Sequence, residues 1–401
     1  MQTFLSDAWK ETAQGREADE ILRACVHCGF CNATCPTYQL LGDERDGPRG
    51  RIYLIKEMLE TNSASRETQL HLDRCLTCRA CETTCPSGVQ YNRLLEIGRD
   101  AVESRVERPV TERIQRAALL HSVPEPGRFR MLLSLANLVR PVLPVALKNA
   151  MPACEPMNEP WPSTSHQRKV LLLEGCVQSV TAPRINLAAA RLLDRLGIQA
   201  LPAAGCCGAL SHHLSQEQRT EATIRKNIDR WWPMIESGAE ALVLTASGCA
   251  PTVADYGKLL GNDPVYRSKA RKVASMAQDI SAFLELQDLD LLANRNPDAS
   301  LIAFHSPCTL QHGLKRAGSV EALLTRLGFS LATVQDAHLC CGSAGTYSVL
   351  QKKLSRRLLN QKLENLEKEQ PTLIATANIG CMMHLQSGTE LPVKHWIELL
   401  N

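Results

Sequence analysis

The chain has 401 residues, room for two or three domains, each with its own core. Its composition, 44% hydrophobic and 22% charged, is that of an ordinary globular protein, and a net charge of +3 without a long Lys/Arg block argues against a nucleic-acid partner. No apolar run reaches the length of a bilayer span and Met1–Leu5 does not resemble a secretory signal, so the 17 cysteines point to reduced thiols and metal in the cytoplasm.

Asp7 to Ala24 predicts a helix with Trp9, Ala13, Ala18, Ile21 and Leu22 on its inner face. It leads into Cys25-Val26-His27-Cys28-Gly29-Phe30-Cys31-Asn32-Ala33-Thr34-Cys35-Pro36, and a second copy follows as Cys75-Leu76-Thr77-Cys78-Arg79-Ala80-Cys81-Glu82-Thr83-Thr84-Cys85-Pro86. Both read C-x2-C-x2-C-x3-C-P, the spacing by which bacterial ferredoxins hold 4Fe–4S cubanes. Three thiolates on one curled loop reach three iron corners. The fourth cysteine opens a new segment behind a proline and points away. In two-cluster ferredoxins that cysteine ligates the other cluster. By that pattern Cys25, Cys28, Cys31 and Cys85 hold the first 4Fe–4S cluster, and Cys35, Cys75, Cys78 and Cys81 the second. Zinc motifs more often pair two distant C-x2-C units, and disulfides need an oxidising compartment.

Between the copies, Gly42 to Arg51 reads as a tight turn and Ile52–Glu60 as a helix. Arg49 and Arg51 have two readings, facing the clusters or sitting in a solvated turn. Tyr91–Glu107 reads as a further helix, which completes a helical ferredoxin-type domain over 1–108. The stretch 109–167 is a proline-rich connection in which regular structure should be broken and short. Within it Phe129–Arg140 is an apolar helix candidate, and burial between domains is favoured over a partner or membrane surface. Cys154 reads as a bystander thiol.

From Lys169 strands alternate with helices, as in a parallel α/β fold. Expected strands are Lys169–Cys176, Ile198–Pro202, Ala241–Ala246, Leu301–His305, Phe329–Val334 and Leu373–Ala377. Expected helices are Asn186–Leu196, Glu217–Met234, Ser319–Leu327 and Leu350–Glu369. Two repeats, 168–290 and 299–401, end their strands on matching cysteines: Cys176, Cys206, Cys207 and Cys249 in the first, Cys308, Cys340, Cys341 and Cys381 in the second. Ligands in open α/β folds gather at strand C-termini.

This pattern resembles the duplicated Cys-Cys-Gly domain of heterodisulfide reductase subunits and of the iron–sulfur subunits of glycolate oxidase and anaerobic glycerol-3-phosphate dehydrogenase. The implied fold is α+β and multidomain: a helical two-cluster ferredoxin domain, then a duplicated α/β cysteine-rich domain. Heterodisulfide reductase copies end in C-x-x-C, whereas here Cys249 is followed by Ala250-Pro251-Thr252 and Cys381 by Met382-Met383-His384. The disulfide-cleaving site is therefore not carried over. His384 is a legitimate metal ligand. The eight strand-end cysteines with His384 are expected to serve as an additional iron–sulfur cluster or as redox thiols, with zinc as a competing reading. His212, His213, His305, His312 and His338 lie near these motifs and read individually as structural.

Over the whole length the chain is most similar to iron–sulfur subunits of bacterial glycolate oxidases, through Arg23–Cys31, Asp46-Gly47-Pro48-Arg49-Gly50-Arg51-Ile52-Tyr53-Leu54-Ile55, Leu339–Tyr347 and His395-Trp396-Ile397-Glu398-Leu399. No G-x-G-x-x-G or Walker A loop is visible. The resemblance implies an electron-transfer subunit. FAD on a partner subunit would oxidise glycolate to glyoxylate, or D-lactate, and two 4Fe–4S clusters would pass electrons to membrane quinone from the cytoplasmic face of the inner membrane. Arg23, Arg74 and Arg79 are candidates for tuning the clusters. A glycerol-3-phosphate or lactate dehydrogenase subunit and a thiol–disulfide catalyst are the alternatives.

Overall fold

The computed structural model describes residues 1–139, 154–156, 159–289 and 300–401. The helix expected from Asp7 splits into Asp7–Lys10 and Ala13–Ala24. The break is at Thr12, whose Oγ1 caps the second helix by accepting from Gly15 N at 2.9 Å. Trp9, Ala18, Ile21 and Leu22 are buried, but Ala13 is exposed and Gly15 takes the inward place. A Cβ on Gly15 would stand 1.9 Å from Trp9 O, so only glycine lets the two helices touch there.

The ferredoxin-type part is helical. Pro48–Thr61, Arg66–Asp73 and Tyr91–Glu103 close on a core that includes Leu22, Ile55, Leu59, Leu72, Leu94 and Leu95. The first of these starts at Pro48, four residues earlier than expected. Proline is preorganised for a first helical position and loses no hydrogen bond there. Arg49 and Arg51 are consequently helical residues with fixed directions.

The proline-rich connection is more regular than its composition suggests, with helices Val110–Ser122 and Pro126–Val139. Pro109 and Pro126 fall at helix starts, where they do no damage. Arg140, Pro141, Pro144 and Pro152 lie outside the described residues. The expectation that the apolar helix is buried is corrected: Met131, Leu132, Leu135 and Leu138 are 44–77% exposed, and Leu133 is the one that is buried. One side of the helix meets the first repeat, with Arg130 Nη2 donating to Ser179 O at 3.1 Å. The helix also meets Val110–Ser122, and its apolar residues Met131, Leu132, Leu135 and Leu138 stay exposed.

Each repeat forms a four-stranded, all-parallel sheet. In the first, β1 (Arg168–Leu173), β2 (Ile198–Ala203), β3 (Ala241–Leu244) and β4 (Ala277–Asp279) run in the order β2-β1-β3-β4. In the second, β5 (Leu301–His305), β6 (Ser330–Leu331), β7 (Leu373–Thr376) and β8 (Val393–His395) run in the corresponding order β6-β5-β7-β8. The apolar run Val170-Leu171-Leu172-Leu173 is fully buried, as a parallel strand covered on both faces requires. One hydrophobic core spans both repeats, from Val170, Ile185 and Val243 to Ile302, Phe304, Ile374 and Trp396. The C-terminal ends of β3 and β7 meet directly, Ser247 N donating to Ala377 O at 3.1 Å. The α+β reading of the sequence is borne out.

Candidate iron–sulfur sites

The two cysteine loops share one backbone. His27 and Gly29 have φ of 57° and 84°, and Thr77 and Arg79 have 53° and 61°. Each left-handed pair turns the chain so that a short helix, Phe30–Ala33 or Ala80–Thr84, begins straight after the second cysteine. The fourth cysteine of the first loop precedes Pro36, the first residue of helix Pro36–Leu41, so its thiol points away from its own loop.

That turn sorts the eight thiols into two cavities. Cys25, Cys28, Cys31 and Cys85 line one of about 430 Å³, and Cys35, Cys75, Cys78 and Cys81 line the other, of about 360 Å³. Pro48, Cys81 and Tyr91 border both, so a single layer of side chains separates them. Among the described residues, no three of these thiols converge within 4.8 Å of one another. Four thiols set around each space without three of them converging suit a multi-iron group better than a single ion.

Three of the thiols, Cys31, Cys78 and Cys81, are hard to ionise without such a group. Burial, with the crowding of Cys25, Cys85 and Cys28, pushes Cys31 up to about 11. Burial first, then neighbouring thiols, raises Cys78 and Cys81 well above the ordinary thiol range. A bound cationic iron core reverses that balance.

Arg51 is fully buried on the wall of the Cys35 cavity. Its Nε donates to His71 O at 2.7 Å and its Nη2 to Thr37 Oγ1 at 3.2 Å, while Nη1 is buried without a partner. Arg49 lines the other cavity, and Arg79 lines the Cys35 cavity. The remaining two arginines singled out in the sequence turn elsewhere. Arg23 pairs with Asp19 at 2.7 Å on the surface, and Arg74 with Asp46 at 2.8 Å. Tyr91, which sequence reasoning passed over, directs its hydroxyl at Cys75 Sγ, 3.7 Å away.

The strand-end cysteines gather at one rim in each repeat. In the first, hydrogen bonds from Cys176 and Cys207 hold the Cys206 thiol low, and Cys207 leans in turn on Cys249. In the second, Cys308 and Cys340 lie 3.9 Å apart, and Cys340, Cys341 and Cys381 follow in contact. His384 does not join the thiols: its Nε2 lies 3.1 Å from Ser355 Oγ and its ring also hydrogen-bonds the Cys341 backbone, while the imidazole grouped with the thiols is that of His305. His212 and His312 reach the ferredoxin-type part, at Glu96 (3.2 Å) and Thr83 (2.9 Å), and His338 O faces His312 Nε2 at 3.2 Å. Burial, ahead of the His212 charge, lowers His213 to about 3. Cys78, Leu76, Cys308, Cys340, Tyr347 and Leu358 form one apolar cluster, so the Cys35 cavity abuts the second repeat's thiols.

Comparison with known proteins matches residues 21–89 to a 4Fe–4S dicluster domain and residues 170–254 and 302–386 to the cysteine-rich domain. A two-cluster domain ahead of a duplicated cysteine-rich domain defines an iron–sulfur electron-transfer protein of an oxidoreductase. The chain is 54% identical to the glycolate oxidase iron-sulfur subunit of Escherichia coli (strain K12), over 100% of this chain and 98% of that one. The probable glycolate oxidase iron-sulfur subunit of Bacillus subtilis (strain 168) is 28% identical over 91% and 88%. Lactate utilization protein A of Geobacillus thermodenitrificans is 27% identical over 58% of this chain and 98% of its own. The chain belongs to the glycolate oxidase iron–sulfur subunit family.

Proposed function

We propose that this chain carries electrons out of a glycolate-oxidising complex: FAD on a partner subunit takes two electrons as glycolate becomes glyoxylate, and membrane quinone is the eventual acceptor. D-Lactate is the second substrate of this reading. The observation that carries it is the pair of thiol-lined cavities sharing the wall of Pro48, Cys81 and Tyr91. Cys25, Cys28, Cys31 and Cys85 would hold one 4Fe–4S cluster, and Cys35, Cys75, Cys78 and Cys81 the other. When bound, such clusters supply one-electron carriers, which is what splitting a two-electron flavin oxidation needs.

The residues around them divide the labour. Cys28 is exposed, and Val26, Phe30 and Tyr53 beside it are 55–67% exposed, which suits the approach of a flavin partner. Beside the Cys35 cavity Tyr347 and Leu358 of the second repeat pack against Leu76 of the cysteine loop, an apolar cover on that side. Arg51 supplies a buried positive charge there, and Tyr91 a hydrogen bond to Cys75. We assign the domain limits 1–108, 109–167, 168–290 and 299–401 to this division of labour. Among the described residues no helix is long and apolar enough to cross a membrane. The exposed apolar side of Pro126–Val139 supports a peripheral attachment.

The test is crossed ligation. Cys85→Ser should disturb the cluster held by Cys25, Cys28 and Cys31, and Cys35→Ser the cluster held by Cys75, Cys78 and Cys81, read by EPR and by iron content near eight per chain in the unaltered protein. Unaltered spectra in both variants would refute the assignment.

A further inference from the structure

Helix Tyr91–Glu103 grips one residue of the second cysteine loop at two atoms. Arg99 Nη2 donates to Cys75 O at 2.9 Å, and the Tyr91 hydroxyl donates to Cys75 Sγ at 3.7 Å. The helix is not free to drift from that sulfur. Leu94 and Leu95 are fully buried in the core, and Arg99 Nη2 also holds Leu72 O at 2.9 Å. At the start of the helix Asn92 N donates to Glu82 Oε1 at 2.7 Å, just past Cys81. Tyr91 itself is 5% exposed.

The first loop has the carbonyl contact without the sulfur contact. Cys25 stands where Cys75 stands, and its carbonyl accepts from the Met1 amine at 2.8 Å. Among the described residues no hydroxyl donates to its sulfur; the tyrosine that borders both cavities has its oxygen on the Cys75 side. A side chain in the wall between two sites thus acts on them unequally.

We propose, resting on the cluster assignment made above, that the Tyr91 hydroxyl raises the midpoint potential of the cluster held by Cys35, Cys75, Cys78 and Cys81 relative to its neighbour, and so favours passage of electrons inward from the exposed Cys28 side. Reduction adds negative charge to a cluster and its ligand sulfurs, and a hydrogen bond donated to one of those sulfurs stabilises the added charge. Bonds to an ionised acceptor are roughly twice as strong as bonds between neutral groups, so the effect is felt once Cys75 is a bound thiolate.

The donor keeps its proton. A phenol titrates at about 10 in water, and burial, with Cys75 next, pushes Tyr91 well above that. Thr77 N reaches the same sulfur at 3.5 Å, but it belongs to the loop itself; the hydroxyl is what helix Tyr91–Glu103 adds. In the step so favoured one electron moves inward, oxidation on the Cys28 side matching reduction on the Cys75 side. No bond forms or breaks, and no proton moves.

The experiment is an EPR-monitored redox titration of the anaerobically purified full-length protein, unaltered and as Tyr91→Phe, which removes one oxygen and keeps the ring in the wall. The signal that Cys35→Ser disturbs identifies the cluster in question. In Tyr91→Phe its reduction equilibrium should fall by about tenfold, about 59 mV for one electron, while the other midpoint stays nearly in place. Tyr91→Met, which removes the ring as well, should give a fall of the same size and stands in for phenylalanine should that variant load iron poorly. No fall in Tyr91→Phe, an equal fall in both clusters, or a fall confined to Tyr91→Met overturns the proposal, the last because it traces the effect to the bulk of the ring. Failure of the electron-transfer reading looks different: iron far below about eight per chain in the unaltered protein, with no pair of signals to titrate.

Discussion

The imidazole of His212, in the first cysteine-rich repeat, closes on the Glu96 carboxylate of the ferredoxin-type part, Nε2 to Oε1 3.2 Å. Burial works against both charges, raising Glu96 and lowering His212. It is outweighed on Glu96 by the His212 hydrogen bond and charge with Arg93 and Arg79, which hold the carboxyl at about 2. On His212 it is outweighed by Glu96, with Asp100 and Asp255 helping, so the ring titrates above its ordinary 6.5. The His212 contribution is therefore complete below about pH 6.5 and is lost as pH rises through the raised value. The Glu96 contribution is present above 4.5 and lost on acidification toward 2. Hydrogen exchange corrected for intrinsic rates should show Tyr91–Glu103 less protected at about pH 8.5 than at about pH 6. His212→Gln should remove the difference; a difference that survives it would place the titrating group elsewhere.

Asp46 ties three side chains together inside the ferredoxin-type part: the guanidiniums of Arg74 at 2.8 Å and Arg51 at 3.6 Å, and the His71 ring at 2.9 Å. Arg51 and Asp46 are 0% and 1% exposed. Asp46→Asn removes the carboxylate paired with the buried Arg51, and breaking such a pair costs up to about 3–5 kcal/mol, less where the cluster supplies a counter-charge. Urea unfolding of the iron-loaded protein reads that loss. A cost below 1 kcal/mol would mean that the carbonyl and hydroxyl acceptors of Arg51 suffice.

Arg51 also makes an electrochemical prediction. Reduction adds negative charge to a cluster, and a neighbouring buried cation favours the reduced form. Arg51→Gln should lower the midpoint potential of the cluster assigned to Cys35, Cys75, Cys78 and Cys81 and leave its neighbour nearly unchanged. EPR-monitored titration separates the two. Equal shifts, or none, would remove Arg51 from this role.

Much of this architecture was written in short-range pattern. The cysteine spacing dictates loops around a cluster, and the strand-end cysteines stand out because continuous apolar runs precede them. β4 and β8 escaped because Ala277-Gln278-Asp279 and Val393-Lys394-His395 are three-residue edges with too little length for a period to show. The choice between histidines also lay beyond sequence. His384 is near Cys381 in the chain, yet its helix turns it to Ser355, while His305 arrives from β5, paired with β7 at Thr376. Sequence left Arg51 between facing a cluster and sitting in a solvated turn; its burial depends on where Pro48 starts the helix.

The apolar side of helix Pro126–Val139 gives a separable prediction. Leu135 and Leu138 are 56% and 77% exposed, so Leu135→Glu with Leu138→Glu should change folding stability by no more than about 0.5 kcal/mol per site. If this side lies on a membrane, the same pair abolishes co-flotation with vesicles containing anionic lipid. Undiminished flotation would move the attachment to another surface.

The glycines of the two Cys-Cys-Gly turns should not tolerate alanine equally. Gly208 and Gly342 have almost the same φ, 88° and 89°, so alanine at either meets left-handed strain of about 1–2 kcal/mol. A Cβ on Gly208 would find Thr220 Cγ2 at 3.7 Å, an ordinary contact. On Gly342 it would stand 2.7 Å from Ser355 O and 2.9 Å from Leu358 Cβ, and both belong to the helix Lys352–Glu367. Ser355 Oγ already donates to Gly342 O at 2.8 Å, which pins that helix against the turn. Gly342→Ala must therefore shift either the helix or the adjoining Cys340 and Cys341. It should cost more than Gly208→Ala by about 1–3 kcal/mol in urea unfolding, within the range of overpacked sites. Equal costs would show that the second turn can slide away from its helix, and that its thiols are held less firmly than this packing implies.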